Sequence, residues 1–247
     1  MPQSFPMAEF RAFGIAASSF MGSLISDENL FDPQEKRRNF DWAWQAVRYR
    51  YRTCVERADE FTGLLFAPSG IAWPNSSAWL AGGGDEELAY KLEQAIYVFF
   101  VAGLSVFESL GFSLYFFGNA LQPGDFPHVA APRKINLAVT IDAFEATFSS
   151  AAITSCLADL VQKPEFIRLD KIRNVLAHRL SGRRSIRQET WSWHIPDLPD
   201  ALEFSTDMLH RLMDEITGML TTLIAAAREF AESQQSATGK EAMNPAH

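Results

Sequence analysis

The chain reads as an all-α protein, a bundle of about five long helices. Apolar residues recur at three- and four-residue spacing over long stretches, the period of a helix that buries one face. Helix-start chemistry stands at the head of several of these stretches. Strand-like alternation is confined to one run near 186–195, where Trp191, Trp193 and Ile195 alternate with Ser192 and His194. That run predicts a small hairpin beside the bundle. With 247 residues, 47% of them apolar, there is enough material for a sizeable core.

In chain order, residues 1–30 mix Phe5, Phe10, Phe13 and Phe20 with Ala, Gly and Ser and have no clear period. They read as a partly ordered arm with a short helix at 7–20. Residues 31–232 are expected to form a single helical domain. Asp32-Pro33-Gln34-Glu35 opens its first helix, with Asp as cap and Pro at the first turn, and the pattern runs to about Leu65. Trp44, Val47, Tyr51, Val55 and Ala58 form its apolar side. Arg48, Arg50, Arg52 and Arg57 decorate the others, either as a solvated, acid-paired face or as an RNA contact. Residues 66–84 are rich in Pro, Gly and Ser and read as a long loop, with Trp73 and Trp79 as anchors.

Asp85 caps the next helix, which is apolar on every side between Ala95 and about 120. Its length would suffice for a membrane span. Glu108 near its middle, the close-set Gly and Ser residues and the lack of a basic flank favour the buried central helix of a bundle, with no membrane partner. Gly103, Ser105, Ser109, Gly111 and Ser113 leave room for close neighbours, from this chain or a second copy. A carboxylate on such a helix needs a partner, and Arg173 is the expected one for Glu108. A third helix is expected over 134–161 and a last one over 200–232, capped by Asp200. Residues 233–247 are polar and read as a disordered tail.

Net charge is −8, which argues against bulk nucleic-acid binding. Residues 163–187 nevertheless carry eight basic residues against Glu165 and Asp170, a local +6. Within that segment, Pro164 starts a helix whose apolar side is Leu169, Ile172, Leu176 and Leu180. Asn174 and His178, four residues apart, lie within roughly 40° of each other on another side. Arg173 is some 140° round from His178 by the same geometry. One helix therefore cannot aim both at one atom through its backbone alone.

Arg173 and His178 with four residues between them, Asn174 after the arginine, Arg179 after the histidine and the stop at Ser181-Gly182 resemble the R-x4-H signature of the HEPN superfamily. These are small helical domains, many of them metal-independent endoribonucleases or their toxin and defence relatives. The resemblance covers about Asp85 to Phe230. It implies a homodimer in which two motif helices face each other, so that the arginine of one copy and the histidine of the other flank one phosphate. It further implies Arg173, Asn174 and His178 as catalytic residues, Glu108 as their support, RNA as substrate, a cytoplasmic toxin or stress and phage-defence role, and an antitoxin protein as partner. The other class it includes is a non-catalytic module that binds nucleotide, RNA or a protein.

The chemistry suits these residue types. Imidazole exchanges its proton near neutral pH, and a guanidinium offers a planar donor fork to phosphate oxygens. Lys171, Arg179, Arg183, Arg184, Arg187 and Trp191 are candidates for holding RNA; alternatively, Trp191 and Trp193 cover an edge of the core. The histidines at 128, 178, 194, 210 and 247 include no H-x-x-x-H pair, and Asp207, His210 and Asp214 make only one acid–histidine unit. No metal or cofactor is expected. Cys54 and Cys156 read as buried free thiols in a reducing, cytoplasmic compartment.

Overall fold

A computed structural model describes residues 5–24, 33–66, 86–127, 131–178, 183–187, 190–194 and 202–242. These form seven α-helices and a three-stranded sheet. The helices are α1 (Met7–Leu24), α2 (Pro33–Phe66), α3 (Glu86–Leu121), α4 (Leu137–Thr147), α5 (Ala152–Gln162), α6 (Pro164–His178) and α7 (Thr206–Ala242). The strands β1 (Arg183–Arg187), β2 (Thr190–His194) and β3 (Leu202–Ser205) are antiparallel, in the order β1-β2-β3. The architecture is an all-α bundle carrying a small hairpin sheet.

The bundle is arranged round α3. Its residues Ile96, Phe99, Phe100, Phe107, Leu110, Leu114 and Phe117 are all essentially inaccessible and fall within roughly 100° of arc, and Phe116, on another side, is equally buried. By length and composition it could cross a membrane, yet 67% of its most apolar stretch is buried inside the molecule. The helix α2 packs along it, α4 and α6 lie against it, and α7 closes the far side over α1 and α5. Small residues allow this. A Cβ at Gly103 would sit 3.2 Å from Ile216 Cδ1, and one at Gly111 would sit 2.9 Å from Leu137 Cδ1. These neighbours all belong to the same chain.

Several polar groups on α3 find partners on neighbouring elements. Half-buried Arg50 reaches across from α2 and donates to the Ser105 carbonyl (2.8 Å) and to the Ser109 hydroxyl. Burial lowers the pKa of its guanidinium, an effect that the nearby Glu108 charge offsets only in part. The arginine run on α2 thus divides. Arg50 turns inward, while Arg52 and Arg57 pair with Glu56 and Glu60 on their own helix.

The ends of the elements depart from expectation where tertiary packing overrides local pattern. The helix expected over 134–161 is two helices, broken at Phe148. That ring packs among Phe126, Phe144 and Phe230, and its carbonyl accepts from Thr154 Oγ1 at 2.7 Å. The last helix begins at Thr206 and not at 200, because Leu202–Ser205 pairs with β2 and Phe204 is buried against Phe100. Its first turn is capped by Ser205, whose Oγ accepts from Met208 N at 3.2 Å.

At the other end, the helix continues to Ala242, well into the stretch expected to be a disordered tail; Gln235 Nε2 donates to Ala16 O on α1 at 3.0 Å. The N-terminal arm is helical to Leu24, and Phe10, Phe13 and Phe20 join the core, with Phe10 stacked on Trp44 at 4.2 Å. Val55 is 36% exposed, so it is not part of the buried side of α2. Cys54 is buried, which pushes its thiol pKa up to about 12, and Cys156 is half-buried. Asp32, Asp85, Asp200, Leu180 and residues 67–84 of the expected 66–84 loop, with Trp73 and Trp79, lie outside the described residues.

Candidate functional site on the motif helix

The motif helix α6 begins directly after α5. Lys163 ends α5 in an extended conformation, Pro164 takes the first helical position and needs no hydrogen bond there, and Ile167 N closes the first turn on Lys163 O at 3.0 Å. Phe166, Leu169, Ile172 and Leu176 are its buried side, with Phe166 edge-on to Phe107 of α3 at 5.5 Å. Phe166, unnoticed in the pattern, holds the helix start to the core.

The opposite side is open. Ile167, Lys171, Asn174 and His178, spaced four, three and four apart, fall within roughly 60° of arc. Ile167 is 51% exposed, Lys171 is exposed and Asn174 is half-buried. His178 is the last helical residue; its side chain and those of Arg183, Arg184, Arg187 and Trp191 lie outside the described residues, as does Arg179 altogether. On the backbone, Arg183, Arg184 and Arg187 belong to β1, and the register sets Trp191 opposite Ile186 and Phe204. The alternation puts Trp191 and Trp193 at positions on the sheet face to which buried Phe204 belongs.

The Glu108–Arg173 pair does not form. Glu108 Oε2 accepts from Leu137 N at 3.1 Å, so this carboxylate caps α4 and faces the Arg50 charge. Arg173 has a nearer acid on its own helix: Nη2 lies 3.3 Å from Asp170 Oδ1. Asn174 Nδ2 donates to the other oxygen, Oδ2, at 3.0 Å. One carboxylate thus holds two of the three motif residues, from one turn below each. Its signal was present in the sequence as an acid three before the arginine and four before the asparagine.

The basic run is partly committed. Arg168 pairs with Glu215 of α7, while Lys171 makes no ion pair among the described residues. Among those residues, no three His, Cys, Asp or Glu side chains gather closely enough to hold a metal ion. Comparisons with protein-family models, curated proteins and solved structures find no match.

Proposed function

We propose that the protein is a metal-independent endoribonuclease of the HEPN type, active as a homodimer through α6. The observation that supports this is the open face of α6, where an exposed Ile167 and Lys171 lead along one line to Asn174 and His178. An exposed Ile within such a line suits a helix that meets its copy. Pairing two copies would also bring the arginine of one toward the histidine of the other.

In this reading His178 takes the proton from a ribose 2′-OH. The 2′-oxygen bonds to phosphorus, the bond to the 5′-oxygen breaks, and that oxygen takes a proton from imidazolium or water, leaving a 2′,3′-cyclic phosphate. Arg173 neutralises the non-bridging oxygens. Its pairing with Asp170 is no obstacle. The two side chains are 30% and 42% exposed, and such a pair contributes about 0–1 kcal/mol, so a phosphate can displace the carboxylate. A cytoplasmic toxin or defence effector restrained by an antitoxin is the role that fits this activity.

A second reading draws on the same carboxylate: Asp170 engages both Arg173 and Asn174, as in a non-catalytic module that binds nucleotide, RNA or a protein. Cleavage of mixed cellular RNA in the presence of EDTA separates the two. The nuclease is expected to leave 2′,3′-cyclic phosphate ends, with none from His178→Ala. Absence of cleavage by wild-type protein across many RNAs would transfer the assignment to the binding module.

A further inference from the structure

The outer face of α2 carries groups that neither the core nor the motif helix uses. Arg38, Trp42, Gln45, Tyr49 and Arg52 follow one another at four-, three-, four- and three-residue spacing, and all five are exposed. Trp42 is 63% and Tyr49 69% exposed, large apolar rings left in water on a helix whose other side is fully packed. The Arg38 guanidinium lies over the Trp42 ring, 5.4 Å from its centre. Between the start of α2 and the end of α1 is a cleft of about 490 Å³ lined by Gln34, Arg37, Arg38, Asp41, Trp42 and Gln45.

The helix is also basic over this stretch, with its cations spread round it. Residues 36–57 hold seven basic residues against Asp41 and Glu56, a local +5 in a chain of −8. Some of it is committed: Arg50 turns inward, Arg37 hydrogen-bonds Ser18 and lies 3.9 Å from Asp41, and Arg52 pairs with Glu56. Arg38 and Arg48 have no carboxylate within 4 Å among the described residues, and both are exposed.

We infer that this face binds single-stranded nucleic acid, with Trp42 and Tyr49 as stacking platforms and Arg38 and Arg48 on the phosphates. Two rings seven helical residues apart are separated by about 10 Å along the axis. Stacked bases are spaced about 3.4 Å along a strand, so the rings can take two bases with roughly two more between them. Aromatic platforms interleaved with guanidiniums are the chemistry a single strand recognises, because every base has a π face and every linkage a charge. A duplex hides its base faces and would gain only the charge term. The face is on α2, apart from α6, so the inference stands whether or not the protein cuts RNA.

The test is fluorescence anisotropy with a labelled 2′-O-methyl oligoadenylate of about 12 nucleotides, a length within ordinary single-strand site sizes. Such a probe has no 2′-OH to attack and cannot be cleaved. Wild-type protein is expected to bind at low salt. The Trp42→Ala/Tyr49→Ala double variant should bind at least about tenfold more weakly, since each lost stack is worth about 1–3 kcal/mol and 1.4 kcal/mol is tenfold. The Arg38→Ala/Arg48→Ala variant should flatten the slope of log K against log salt by about 1.4, roughly 0.7 per phosphate contact. Circular dichroism should be unchanged in both, because the substituted side chains are exposed. No binding by wild type, undiminished binding by the aromatic double variant, or equal binding of a duplex would each overturn the inference.

Discussion

Asp170 governs the local chemistry of α6, because one carboxylate receives both Arg173 and Asn174. The arginine therefore has its countercharge near the surface, and the stabilities of two variants should separate accordingly. Arg173→Ala removes a partly exposed ion pair and should cost less than about 1 kcal/mol. Glu108→Ala leaves Leu137 N without its acceptor and half-buried Arg50 without its opposing charge. It should cost on the order of 1–3 kcal/mol. Urea denaturation of the two variants measures this directly; an Arg173→Ala cost equal to or above that of Glu108→Ala would contradict the assignment of partners. At this scale the sequence disclosed which charges needed partners but not which partner each would find. The period of a helix shows that Glu108 and Arg173 both border apolar stripes. It does not say that Leu137 and Arg50 arrive at the first, or that Asp170 reaches the second.

Helices are held at distances that single glycines set. A Cβ at Gly14 would fall 2.6 Å from Trp44 Nε1, so α1 can dock on α2 only without a side chain there. Gly14→Val should destabilise by roughly 1–3 kcal/mol despite the better helix propensity. Gly218→Ala on α7, with nothing within 4 Å of the new carbon, should instead stabilise by about 0.5–1 kcal/mol. Thermal melts of both variants give the two signs. The long helices were readable because their apolar period is long: α2 begins at the proline that the sequence marks and ends one residue past the expected stop. Boundaries set by distant contacts were not. Phe148 interrupts a continuous pattern because three other rings surround it, and Leu202–Ser205 becomes a strand because β2 offers it hydrogen bonds. Residues 233–242 are too polar to announce a helix alone; contact with α1 is a partner that no local window contains.

At the scale of the whole molecule, the proposed homodimer predicts that two copies meet through the open face of α6. Ile167→Glu puts a charge into that line without touching the buried side of the helix. The expected result is a fall in mass, by light scattering, from twice 27.7 kDa to a single chain, with helicity unchanged. A wild-type protein that is already monomeric at micromolar concentration would remove the seam and with it the paired-site geometry.

Placing the most apolar helix at the centre also has a consequence for synthesis. On the ribosome, α3 emerges with only α1 and α2 available to cover it. The cover supplied by α7 begins 85 residues later, from Leu121 to Thr206. At about 5–20 residues per second, that is roughly 4–17 s in which α3 has only α1, α2, α4 and α6 to lie against it. Over this interval α3 has the length and apolarity of a membrane span, with Glu108 as its main charge within the apolar stretch. Correct folding is thus a race in the nascent chain, between capture of α3 by insertion machinery or chaperones and the arrival of its own last helix.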